Sequence, residues 1–424
     1  MVVCSNLSGL SSSLVENDQL SVSLRSGLNL DAFNRLRVSE PTAIWYDTLQ
    51  YDGSPLLWAT ESTGTASGVH SYGDSGFNMS VSSAGDRYSR TVRQPVRYQP
   101  GKSRLDALTW GSPNIPAGVR FRAGAFNQYN GVFVQIEGGQ FAVGVRSSVT
   151  GTIVDTVIPQ SEWNIDKMDG TGRSGIDLNP NAGHIFITDL QWLSLGIVRF
   201  AFEINGELIY VHKTVTGNDI ERPYMQTANL PIRYEIESFG GIGSVTAICS
   251  ASMSEGGQSD EKGYDFGTSN GRIPIDVAAS DTWTPIISIR RSELFKGRPY
   301  DAANVVPKKF SVYCTGAPMQ ISAIYRPEEL TGGTWNAVNS ESGVEYNSTA
   351  TEVSGGFIID PFYLQAGGQG SGSFSSAGTS GTSILLPITR DPDGSNPDVL
   401  TLAVRALGET DGQAYGTISF REIR

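Results

Sequence analysis

Asp166, Asp169 and Asp177 fall within one stretch, residues 163–180, and carboxylates crowded this closely could take a calcium ion or form an acid–base pair. Their spacing departs from the EF-hand rule, which places acids two apart and closes on a glutamate. Aspartates in loops also bond their own backbone in turns, and that use fits the spacing better. No cofactor is expected, and calcium at Asp166, Asp169 and Asp177 is the one candidate against that expectation. A glycosidase would need two carboxylates facing each other across a groove, which spacing alone does not supply.

Other matches to chemical motifs fail on context. Gly170-Thr171-Gly172-Arg173-Ser174-Gly175 spells a dinucleotide fingerprint, but no strand pattern precedes it and Asn179-Pro180 leaves no room for the helix that would face a pyrophosphate. Gly101-Lys102-Ser103 ends like a phosphate loop, yet Val96 stands where the leading glycine belongs. Gly267-Thr268-Ser269-Asn270-Gly271 has the letters of a nucleophile elbow without the strand and helix that would strain its serine. A serine hydrolase also needs a histidine, and the chain has only His70, His184 and His212, the last placed by alternation on a strand surface. No catalytic residue is expected.

The elements that would carry such residues are strands. Residues 119–147 read as a three-strand meander, with Asn130-Gly131 and Gly138-Gly139 at its reversals, and Asn205-Gly206 closes a second hairpin. Asn-Gly readily adopts the positive φ angles of a two-residue type I′ turn. In residues 197–204, Val198, Phe200, Phe202 and Ile204 alternate with Arg199, Ala201 and Glu203, which gives one apolar and one polar face.

Composition agrees. Charged residues make up 17% of the 424, and 49 glycines suit short strands and tight turns better than helices. The chain is long for one core, so two domains are expected. The boundaries read as an N-terminal arm over 1–31, a large β-sandwich over 32–254, a polar linker over 255–270 and a smaller β-sandwich over 271–424. In the last, Leu400, Leu402 and Val404 mark a buried face, and the Gly/Ser-rich run 366–383 is expected to be a mobile loop unless a neighbouring subunit holds it.

The net charge of −12 divides evenly, 24 acids against 18 bases up to Glu255 and 19 against 13 beyond, so neither half offers the basic surface that nucleic acid requires. The basic run Arg87, Arg90, Arg93, Arg97, Lys102 and Arg104, interrupted by Pro95 and Pro100, reads as the solvated face of an extended segment or as a contact to an acidic protein neighbour. Three scattered cysteines, Cys4, Cys249 and Cys314, make neither a disulfide framework nor a zinc site. Without a signal-peptide pattern or a long apolar run, the chain is expected in a reducing, aqueous compartment with no membrane partner.

Ala32-Phe33-Asn34-Arg35-Leu36-Arg37-Val38-Ser39, Tyr98-Gln99-Pro100-Gly101-Lys102-Ser103, Pro159-Gln160-Ser161-Glu162-Trp163-Asn164-Ile165-Asp166-Lys167 and Asn229-Leu230-Pro231-Ile232-Arg233-Tyr234-Glu235 resemble a family of tailed-bacteriophage virion structural proteins. The likeness covers about 32–257 and extends more loosely to Thr284-Pro285-Ile286-Ile287-Ser288-Ile289-Arg290 and Phe420-Arg421-Glu422-Ile423. Residues 119–211 also look like a concanavalin-type jelly roll. The resemblance implies an all-β, non-enzymatic particle component, made in the host cytoplasm and carried in the virion as head decoration, tail or fibre protein. It would be a homo-oligomer, with a trimer the first expectation, docked on other capsid or tail proteins through Phe33, Arg35 and Arg37. A module that binds host surface glycan is the alternative, and a glycan depolymerase a further one.

Overall fold

The computed structural model describes residues 41–214, 217–218, 220–257, 263–373, 387–391 and 394–424, with the backbone of two short paired stretches, Val15–Glu16 and Gln19–Leu20. Among these residues the only helical turn is a 3-10 turn, Gln160–Glu162, and the strands pair antiparallel throughout.

The chain is all-β, a large jelly-roll sandwich followed by a smaller sandwich. In the first, a seven-stranded sheet runs Val154–Pro159, Gln140–Ser147, Gly131–Glu137, Val119–Phe126, Ile232–Ser238, Arg87–Val92 and Trp58–Thr63. Facing it, a second sheet runs Glu207–Lys213, Val198–Ile204, His184–Leu190, Arg104–Asn114, Gly243–Glu255, Gly76–Val81 and Ser67–Ser71, with Pro41–Asp47 also paired to Gly243–Glu255. Alternation explains the core: Phe121, Val134, Val143 and Ile236 of one sheet meet Leu108, Trp110, Phe186 and Phe200 of the other, all fully buried.

The smaller sandwich pairs Tyr264–Ser269, Gly412–Ile423, Asn304–Thr315 and Gln369–Ser373 in one sheet. Its other sheet is built on Val344–Asn347, Thr284–Arg291, Val399–Ala406, Met319–Tyr325 and Phe357–Leu364. Leu400, Leu402 and Val404 share its buried face, as their alternation requires.

Four local expectations are corrected. At the first reversal, Gly131 already pairs with Phe126, so the turn spans 127–130 and Asn127 Oδ1 organises it by accepting from the backbone N–H of Tyr129 and Asn130. The two-residue reading does hold at Asn205-Gly206, where φ is 54° and 84° and Ile204 pairs with Glu207. The linker expected over 255–270 is shorter, because Tyr264–Ser269 is a strand in which Phe266 meets Phe420 at 6.1 Å. The run 366–383 includes the strand Gln369–Ser373, while 374–386 lie outside the described residues. Gly372 in that strand serves packing: a Cβ on it would stand 2.3 Å from the Phe310 ring, so only a bare backbone fits there. Finally, residues 96–98 make a single bridge, Val96 to Leu230, in place of a strand.

Candidate functional site

Asp166, Asp169 and Asp177 are brought into one loop, where the carboxylates of Asp166 and Asp169 are spent on turn bonds. Asp166 is buried and accepts from Met168 N at 2.9 Å and Ser174 N at 2.6 Å, while Asp169 accepts from Thr171 N and Thr171 Oγ1. Those bonds to Thr171, led by its hydroxyl, hold the Asp169 carboxyl below its usual range. Asp169 and Asp177 face each other across a backbone bridge. No group of three metal-ligating side chains occurs among the described residues. The Gly170–Gly175 match is thus a loop folded around Asp166. Ser269 ends an exposed strand and accepts from Gly271 N. Phe33, Arg35 and Arg37 lie outside the described residues.

The basic run is corrected most. Arg90 and Arg104 are among the largest fully buried side chains. Arg90 lies over the Trp58 and Phe77 rings at 4.8 and 4.1 Å and donates to Gly53 O. Arg104 lies between the sheets, paired with Asp106 at 2.8 Å and donating to the carbonyls of Val96, Ala228 and Leu230. His212 is likewise buried. A bulge between Phe200 and Ala201 places it opposite Phe200 and reverses the alternation that predicted exposure. Burial depresses its basicity, as it does that of His184, which is boxed by Trp110, Phe141 and Phe202.

The outer face of the seven-stranded sheet carries a network of ionisable groups. Register places Arg122, Gln135 and Glu235 side by side, with Arg120, Glu137 and Glu237 in the next row. Glu235 pairs with Arg233 at 2.7 Å and Arg87 at 3.7 Å, and Glu61 with Arg87 at 3.3 Å and Arg233 at 3.8 Å. Glu237 meets Arg120 at 2.6 Å, and Asp155 holds Arg146 at 2.7 Å and Arg122 at 2.9 Å. Phe133 and Phe126 lie beneath, under the guanidinium groups of Arg122 and Arg233 at 4.5 and 5.5 Å. Burial pushes the carboxyls of Glu235 and Asp155 up, but the arginines outweigh it and hold both below their usual range. A general acid requires the opposite shift.

A second cluster lies in a crevice where the two sandwiches meet, a cavity of about 70 Å³ lined by Arg93, Asn127 and Tyr129 on one side and by Arg291, Asp301 and Arg390 on the other. Arg93 reaches Asp391 at 3.3 Å and Asp398 at 3.4 Å, Asn127 Nδ2 donates to Asp301 Oδ2 at 2.5 Å, and Asn304 Nδ2 donates to Pro95 O. Burial raises the Asp301 carboxyl above its usual range. Sequence reasoning missed both clusters. Glu235 and Glu237, two apart on an alternating strand, could have been read as neighbours on one face, whereas nothing local to Arg291 or Arg390 announces the other.

No family model matches the chain, and no curated protein matches it in sequence. Among solved structures, a protein of unknown function from Shewanella oneidensis MR-1 is similar at 9% identity and TM-score 0.34, covering 54% of this chain and 93% of that one. The CBM2 module of the evolved Dit of Lactobacillus casei BL23 phage J-1 is similar at 7% identity and TM-score 0.32, covering 52% and 99%. A putative beta-glucanase from Mycobacterium abscessus is similar at 11% identity and TM-score 0.34, covering 50% and 99%.

Proposed function

We propose that this chain is a non-enzymatic structural component of a tailed-phage virion, a head decoration, tail or fibre protein that acts by oligomerising, as a trimer in the first instance, and by docking on other virion proteins. The observation that carries the non-enzymatic part is the arginine-paired face of the seven-stranded sheet. Glu61, Glu235, Glu237 and Asp155 are each bound to arginine, so none is poised to give a proton to a leaving group. Such a face holds shape. The virion assignment draws its support from the sequence resemblance, and the N-terminal arm together with the following motif that bears Phe33, Arg35 and Arg37 is the proposed anchor. Deleting residues 1–40 is expected to leave a folded protein that no longer co-purifies with particles; retention at full occupancy would reject the anchor.

A host-glycan-binding module is the second reading, favoured by the exposed rings of Tyr46, Tyr51 and Tyr72, since aromatic faces stack on sugars. A glycan array with and without chelator tests it together with calcium, and incubation with host polysaccharide tests depolymerisation. Silence in both supports the structural reading, and a specific glycan signal overturns it.

A further inference from the structure

Arg291 stands at the end of the strand Thr284–Arg291 and lines the crevice between the sandwiches, with only 4% of its surface exposed. Its NH1 donates to two backbone carbonyls, Asp301 O at 3.2 Å and Ala303 O at 3.0 Å, and its Nε has no partner among the described residues. Burial pulls its pKa down to about 10. Asp301 and Asp398 lend it negative charge from nearby, but Asp301 turns Oδ2 to Asn127 Nδ2, and neither carboxyl makes an ion pair with Arg291 among the described residues. A guanidinium removed from water and left without a paired anion is costly, and proteins tolerate it where something supplies the missing charge.

Arg390 repeats the pattern beside it. Its Nε donates to the backbone carbonyl of Arg291 at 3.0 Å and its NH1 to Gly394 O at 2.8 Å, so among the described residues its hydrogen bonds go to neutral oxygens, with Glu293, on the same wall, and Glu345 acting on it without a direct bond. Two like charges are therefore fixed next to one another at the wall of one cavity. Arg93, the third arginine there, is already neutralised by Asp391 and Asp398. The cavity, at about 70 Å³, suits one compact group and not an extended ligand.

We propose that the crevice is an oxyanion site in which Arg291 and Arg390 together hold a phosphate or carboxylate group, accepted from solution between the two sandwiches. The planar, multi-donor guanidinium matches the paired oxygens of either group, and one anion would satisfy Arg291 Nε while offsetting the repulsion between the two arginines. The site needs both sandwiches, because Asn127 and Tyr129 form the opposite wall. Occupancy would therefore stiffen the junction.

The test is calorimetric titration of the full chain with inorganic phosphate, and separately with succinate, against sodium chloride at matched ionic strength. Saturable one-site binding is expected for at least one of the two anions, and the tighter one identifies the source. Arg390, half-buried and bonded to carbonyls among the described residues, is the residue to change: Arg390→Gln should weaken that binding at least about tenfold, Arg390→Lys less so, since it keeps the charge and loses the fork. Arg173→Gln, on an exposed loop that does not line the crevice, should bind as the parent does. Absence of saturable binding to either anion overturns the proposal, as does equal binding by the parent and Arg390→Gln. Should Arg390→Gln misfold by circular dichroism, Arg291→Lys takes its place with the same expectation.

Discussion

Cys314 and Cys249 carry the same thiol in opposite surroundings. Cys314 is buried in the second core, and burial pushes it up to about 11, while Cys249 is exposed. With Cys4 replaced by serine, Cys249 should react with a disulfide reagent at pH 8 at least about a hundredfold faster than Cys314, which waits for unfolding. Equal rates would contradict the packing around Cys314. Asp86 makes a second prediction. Its carboxylate accepts from Ser82 N, Thr65 Oγ1, Thr65 N and Ser83 N, bonds that hold it far below the usual carboxylate range and tie together two crossovers between the sheets. Because the folded value is the lower one, this stabilisation is present above about pH 3.9, the unfolded value, and is lost as pH falls through the folded one. Asp86→Asn should therefore lower the urea midpoint at pH 7 and converge with the parent in strong acid.

Within the strand Arg104–Asn114, Arg104 and Asp106 form an ion pair inside the sandwich, with Ser252 and Thr188 completing the bonds to Asp106. Arg104→Met should cost about 3–5 kcal/mol in urea unfolding, since it strands a buried carboxylate, while adding Asp106→Leu should recover much of the loss. A loss under 1 kcal/mol, roughly that of a surface pair, would mean that water reaches Asp106. Such pairs also mark how far the sequence could be read. Alternation and Asn205-Gly206 disclosed strands and buried faces because both are written within a few residues. The burial of Arg90 was hidden because its cover, the Trp58 and Phe77 rings, comes from other strands. The bulge that turns His212 inward has no local letter, and the role of Gly372 depends on Phe310, far away in the chain. The charged sheet face was half legible and the crevice not at all, since it exists only where two separate sandwiches touch.

At the level of the molecule, Arg93 is the clearest coupling element, since one side chain from the first sandwich grips Asp391 and Asp398 of the second while Leu56 packs against the second core. Arg93→Ala should split a single calorimetric unfolding transition into two, or widen an existing gap, because each sandwich keeps its own buried cluster. An unchanged profile would assign the coupling elsewhere. The order of strands in the smaller sandwich has its own consequence. Gly412–Ile423 fills the place between Tyr264–Ser269 and Asn304–Thr315, both made long before it. While the ribosome is still at work, that sheet has two facing raw edges and a missing middle, so the nascent chain must be shielded or kept dilute until its central plank arrives.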